Sequence, residues 1–168
     1  MTFVPMQMAY ADSAFSGGNG TMDDPYLITS ANDFKQLATE VNGGNNYSNT
    51  YFKIPETVTE TIELSTDDGY VPIGNDTNQF EGTFDGGNHT INLNLTGERL
   101  VGLFGEGEEN SNLCNIRTTG SVSITGYYAG GIVANMYGNV VNCHNEASVT
   151  GYYHVGGIVG ISDNSKYI

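Results

Sequence analysis

A stretch of sequence that returns at a regular interval constrains a fold tightly, because each copy must form the same unit and bury its apolar face on the next. In this chain Gly126-Tyr127-Tyr128-Ala129-Gly130-Gly131-Ile132-Val133 returns as Gly151-Tyr152-Tyr153-His154-Val155-Gly156-Gly157-Ile158-Val159. Upstream, Asn112-Leu113-Cys114-Asn115 and Gly120-Ser121-Val122 return as Asn139-Val140-Val141-Asn142 and Ala147-Ser148-Val149, a shift of 27. A weaker copy, Val101-Gly102-Leu103-Phe104-Gly105, precedes Gly130-Gly131-Ile132-Val133-Ala134 by 29, so the period is 25 to 29 residues. A propeller blade needs about 40 or more. The repeat fits the coil of a solenoid.

The shift falls from 27 at Val122 and Val149 to 25 at the paired tyrosines. Losing two residues from a strand keeps each side chain on its face, since the side-chain period is two. The one-residue gain between Tyr153 and Gly156 calls for a turn or bulge between the tyrosines and the Gly-Gly-Ile-Val segment. These features predict an all-β fold, a parallel, right-handed β-helix whose coils lie about 4.8 Å apart and bury aliphatic columns. Val122 should stack on Val149 and Ile132 on Ile158, with Ser121, Ser123 and Ser148 facing water.

Composition agrees with many turns and few helices: among 168 residues there are 23 Gly, 38% apolar residues and only 14% charged ones. Five Lys and Arg stand against 19 Asp and Glu, a net charge of −14, which argues against nucleic acid or an anionic membrane as partner. Residues 1–110 carry 17 acids and three bases, whereas residues 111–168 carry two of each. The acidic half reads as the solvated start of a solenoid and the neutral half as its stackable part. No apolar run reaches the roughly 20 residues that span a bilayer.

The repeated segments resemble those of a known family. Gly102-Leu103-Phe104-Gly105, Gly131-Ile132-Val133 and Gly157-Ile158-Val159-Gly160, with the Asn-x-x-Asn and Ser-Val-x-Gly segments between them, resemble GLUG-motif repeats. Phe80-Glu81-Gly82-Thr83-Phe84-Asp85-Gly86-Gly87-Asn88-His89-Thr90-Ile91 is similar to the segment that precedes such repeats, and Gly20-Thr21-Met22-Asp23-Asp24-Pro25-Tyr26-Leu27-Ile28 to their opening segment. The resemblance covers residues 16–168 and departs at Ala134, where a closing Gly is usual. It implies a large bacterial exported protein, either adhesin-like or the non-catalytic part of an immunoglobulin-cleaving peptidase.

Ser30 followed by Phe34, Leu37, Ala38 and Val41 predicts one amphipathic helix over 30–42, with Ser as N-cap and Gly43 at its end. Such a helix would cover the open end of the core. Strands are expected at Tyr51–Ile54, Thr61–Leu64, Val71–Ile73, Gly82–Phe84 and Thr90–Leu95. Ala9-Tyr10-Ala11 closes an apolar stretch in the pattern read by signal peptidase, so 1–11 is read as a signal-peptide remnant cleaved before Asp12. The organisation expected is thus 1–11 remnant, 12–95 cap with the first coils, and 96–168 GLUG-like repeats, truncated at the C-terminus. The uncapped C-terminal end would continue in the same chain or meet another copy.

Catalysis and metal binding find little support in the residue pattern. His89 sits in a turn-forming run, and His144 and His154 fall at variable positions of the repeat. Asp23-Asp24, Asp67-Asp68 and Glu106, Glu108 and Glu109 supply carboxylates for glycoside hydrolysis or calcium, yet they read as solvated loop charges with no calcium-loop pattern. No metal site and no cofactor are expected. Cys114 aligns with Val141 and Cys143 with Ile116, two positions out of register, so both read as buried thiols in aliphatic places, about 7–8 Å apart. Asn-x-Ser/Thr sites stand at Asn46, Asn75, Asn88 and Asn94.

The tyrosines are the candidate binding residues. Tyr127 and Tyr128 recur as Tyr152 and Tyr153 in the next coil, and because adjacent strand residues face opposite ways, one column should be exposed. Phenol rings in a column hold sugar rings or a protein partner, or simply stabilise the ladder. The function expected is a non-enzymatic, secreted or cell-surface solenoid of an adhesin-like protein that contacts a glycan or a host or cell-surface protein. The alternatives are a β-helix carbohydrate-active enzyme or an accessory region of a secreted peptidase. Two carboxylates and a basic residue on one face would favour the enzyme.

Overall fold

The computed structural model describes residues 15–162, so the signal-like segment 1–11 and the charges Asp163 and Lys166 lie outside the described residues. The chain winds as a parallel β-solenoid of five coils. The first holds β1 (Tyr26–Leu27) and helix α1 (Ala31–Asn42). The second holds β2 (Tyr51–Lys53) and β3 (Ile62–Ser65); the third β4 (Thr83–Asp85), β5 (Thr90–Gly97), β6 (Leu100–Val101) and β7 (Phe104–Gly107). The fourth is β8 (Asn112–Cys114), β9 (Arg117–Ile124), β10 (Tyr128–Gly130) and β11 (Val133–Met136). The fifth is β12 (Asn139–Val141), β13 (His144–Asn145), β14 (Ser148–Thr150), β15 (Val155–Gly156) and β16 (Val159–Ser162).

Strands of successive coils pair in parallel, giving the ladders β1-β2-β4-β8-β12, β3-β5-β9-β13, β6-β10-β15 and β7-β11-β16, with β14 also on β9. Val122 pairs with Val149, and the Ile132 amide donates to the Ile158 carbonyl. Ser121, Ser123 and Ser148 are exposed, as the alternation requires. Strand β5 runs across residues 95 and 96, and one core is continuous on both sides. Inside the first ladder the column Phe52, Phe84, Leu113, Val140 narrows from aromatic to aliphatic along the axis. Phe80, Phe84 and Phe104 meet in its wider half, with ring centroids 5.2 and 5.4 Å apart.

Helix α1 starts where Ser30 and Asp33 cap each other, the Asp33 amide donating to Ser30 Oγ and the Ser30 amide to Asp33 Oδ2. Its apolar stripe, Phe34, Leu37, Ala38 and Val41, is fully buried, and the Phe34 ring lies 5.6 Å from that of Phe84. Lys35 Nζ donates to the Asp68 carbonyl and Asn42 Nδ2 to that of Pro72, fastening the helix to the second coil. Together these contacts make α1 the cover of the N-terminal end of the core.

The Asn-x-x-Asn segments mark a corner. Asn88, Asn115 and Asn142 each take a left-handed backbone, with φ of 61°, 54° and 53°. Asn142 Nδ2 donates to Asn115 Oδ1 at 2.6 Å, and Asn115 Nδ2 to Asp85 Oδ1 at 2.8 Å, so amide side chains bridge coil to coil. Asn tolerates this conformation better than other residues with a Cβ.

Two local expectations are corrected. Val71–Ile73 forms no strand: only Ile73 bridges to Phe104, because Pro72 lacks an N–H and Gly74 turns the chain with φ of 86°. The cysteines do not share a face. Cys143 packs against the core above Ile116, but Cys114 continues the column Lys53, Asp85, Val141, in which Val141 is 45% exposed. The corner at Asn115 lies between positions 114 and 116 and breaks the alternation. Both thiols are free and half-buried; burial first, and then Asp85, push the Cys114 thiol up to about 11.

Candidate functional site: an aromatic column above an ion pair

Tyr127 and Tyr128 stand where β9 turns into β10, and Gly126 makes the turn possible, because a Cβ there would overlap the Glu98 carbonyl of the coil below. Hydrogen bonding fixes the columns. Tyr128 pairs with Leu100, and Ala129 pairs with Val101 on one side and Val155 on the other. Position 127 therefore follows Arg99, and residue 128 is opposite His154 rather than Tyr153. The ring contacts agree: Tyr127 lies against Tyr153 with centroids 6.1 Å apart and planes 23° apart, and Tyr128 against His154 at 5.1 Å.

The expected pairing of Tyr127 with Tyr152 and Tyr128 with Tyr153 is thus off by one. Between the paired Ser123 and Thr150 and the paired Ala129 and Val155, the fifth coil is shorter by a single residue. The supposed loss of two and gain of one is that net loss of one. Tyr152 is left without a counterpart and projects, 80% exposed. The expectation that one of each adjacent pair turns inward also fails: half-buried Tyr128 packs on Tyr127 and His154, outside the core, because residues 125–127 are a bend.

At the foot of the column Arg99 meets Asp76 in a two-pronged pair, Nε to Oδ2 at 2.5 Å and Nη2 to Oδ1 at 2.8 Å. Asp76 first, and then the neighbouring phenols, hold the guanidinium above its ordinary range, so it stays charged. Both partners are largely exposed. Beside them runs a groove of about 330 Å³ lined by Val71, Pro72, Asp76, Glu98, Arg99 and Leu100. A larger hollow of about 460 Å³, between Thr29–Ala31 and Thr57–Glu63, has only Glu60 and Glu63 as charged groups and no ring. Chemistry favours the smaller one.

Asp23, Asp24, Asp67, Asp68 and Glu109 are exposed, as expected, but Glu106 is not: it is 6% exposed. The segment Asn75–Phe80 covers it, with the Phe80 amide on the Glu106 carbonyl and the Gln79 side chain on its carboxyl. Burial and nearby Asp76 raise its pKa. Two carboxylates and an arginine do therefore come together, but Glu106 does not line the groove. His89 closes the turn in which Asp85 Oδ1 accepts from the Gly87 amide, and His144 lies 2.9 Å from Glu146 on the surface. Among the described residues no group of three or more His, Cys, Asp or Glu is placed to hold a metal ion.

Arg99, Asp76, Leu100 and His154 are the site residues that motif reading missed. Counting 28 back from Tyr127, the interval between Val101 and Ala129, finds Arg99.

The fold and this site define a class, a helix-capped parallel β-solenoid with an aromatic column on its outer surface. No family model matches the chain, and no solved structure matches it significantly. Two proteins resemble it: Halomucin of Haloquadratum walsbyi, 36% identical over 155 residues, and a Gly-rich membrane protein of Evansella cellulosilytica, 32% identical over 141. The alignments take in 87% and 80% of this chain but only 2% and 16% of those proteins. No helix of the described residues is long and apolar enough to cross a membrane.

Proposed function

We propose that this chain is a non-enzymatic contact module of an adhesin-like surface protein, which projects a rigid solenoid and holds a glycan on Tyr127, Tyr128, Tyr152 and Tyr153. The exposed Tyr127–Tyr153 stack above the Arg99–Asp76 pair carries the reading, because flat apolar rings beside fixed polar groups are what a sugar ring needs. The likeness to GLUG repeats and the relatives' names, a halomucin and a membrane protein, support a surface setting. The proximity of Glu106, Asp76 and Arg99 favours carbohydrate cleavage as the second reading.

The deciding experiment is an immobilised array of glycans and surface proteins probed with the intact chain and with Tyr127→Ala/Tyr153→Ala. Retention on glycans that falls about tenfold in the variant supports the module, a loss worth about 1.4 kcal/mol. Equal retention by both chains, or release of reducing sugar on incubation, overturns it.

A further inference from the structure

The glycan reading above is the base for a narrower one: the geometry points to an uncharged, linear polysaccharide lying along the solenoid axis, its sugars on Tyr153 and Tyr127 and its hydroxyls on the Arg99–Asp76 fork. Successive rungs are about 4.8 Å apart, and the groups in question occupy successive coils: Asp76 and Val71 the second, Arg99 and Leu100 the third, Tyr127 the fourth, Tyr153 the fifth. A chain of on the order of four sugars spans them at about one sugar per rung.

The rings are open to such a ligand. At 23° between planes, faces in contact would bring atoms to about 3.5–4.0 Å, whereas the Tyr127 and Tyr153 centroids are 6.1 Å apart. The rings are therefore not in face-to-face contact, and 55% and 62% of these residues remain exposed. Val71, itself 47% exposed, with Pro72 and Leu100, continues the apolar strip into the groove for the C–H face of a sugar.

Charge narrows the class. Asp76, Glu98 and the buried Glu106 surround one arginine, and the whole chain carries −14, so uronic or sulfated chains are repelled. The same negative surroundings would draw a basic peptide, so oligolysine stands in the test as the rival ligand. Together Arg99 and Asp76 form a neutral pair that still offers N–H donors and carboxylate lone pairs. A hydroxyl, at once donor and acceptor, fits that pair without breaking it.

Calorimetric titration of the full chain tests this with cello- and xylo-oligosaccharides of two to six sugars, oligogalacturonates of the same lengths, and oligolysine. Affinity for a neutral series should rise about tenfold from two to four sugars and then level off, and Arg99→Gln/Asp76→Asn should weaken the tetramer about tenfold. Both residues are surface groups, so unchanged thermal melting separates lost binding from lost folding. Affinity independent of length, or equal affinity for oligogalacturonates, overturns the axial neutral ligand while leaving glycan contact at the tyrosines standing. Binding of oligolysine alone, or of no probe, overturns both.

Discussion

Asn115 lets the corner of the solenoid be taken apart energetically. Its side chain donates to Asp85 Oδ1 at 2.8 Å and accepts from Asn142 Nδ2 at 2.6 Å, while its backbone is held at φ 54°. Asn115→Gly removes both side-chain bonds but tolerates the left-handed backbone; at about 0.5–1.5 kcal/mol net per bond the cost is about 2 kcal/mol. Asn115→Ala loses the same bonds and adds a Cβ in that conformation, a further 1–2 kcal/mol or so, for a total of about 3–4 kcal/mol. In a chain of 168 residues these correspond to melting temperatures lowered by on the order of 6 °C for Gly and 10 °C for Ala. Guanidinium unfolding followed by circular dichroism, with thermal melts in parallel, reads both. If Ala and Gly prove equally destabilising, the left-handed corner is not what Asn115 supplies; if neither costs as much as about 0.5 kcal/mol, the amide ladder contributes nothing.

Phe34→Ala empties a fully buried ring site between helix and core and should cost about 3–5 kcal/mol. Because solenoid stability is nearly a sum of neighbour terms, hydrogen exchange should quicken in β2 and β3 well before β11 and β12, and uniform quickening would contradict the capping role. Glu106, with its pKa raised by burial and then by Asp76, holds its proton more tightly in the folded than in the unfolded chain. Stability is therefore full below the ordinary carboxyl pKa of about 4.3 and is lost as pH rises through the raised folded value. Glu106→Gln should flatten that fall and be the more stable protein at pH 7; equal pH slopes in urea titrations of the two chains would refute it.

Much of the fold is legible because its cause is local and repeated. Val122 and Val149 sit in like surroundings, so the shift of 27 between them in the sequence is the shift of their hydrogen-bonded pair. Ser30, Phe34, Leu37 and Val41 carry a cap and a stripe within one stretch of chain, and the helix follows from those residues alone. What escapes is decided by distant segments or by single corners. Glu106 lies among glycines and other acids, which reads as a solvated loop; its burial comes from Asn75–Phe80, folded over it from the preceding coil. Cys114 and Cys143 look equivalent by parity, and the one left-handed residue at Asn115 is enough to separate their faces.

The tyrosine site shows the same division at finer scale. Gly126-Tyr127-Tyr128 and Gly151-Tyr152-Tyr153 match letter for letter, yet side chains in a solenoid are placed by the hydrogen bonds of the flanking strands, here Ser123 on Thr150 and Ala129 on Val155. A corner between two fixed strands absorbs any difference in length, so likeness at a corner does not report a column. With one residue fewer to span the turn, the fifth coil slides its aromatic pair along by one: Tyr153 takes the place above Tyr127, His154 enters left-handed backbone at φ 39° to meet Tyr128, and Tyr152 is pushed into solvent. The column that results begins at Arg99, a residue no repeat motif contains, and it exists only because the strands on either side are in register.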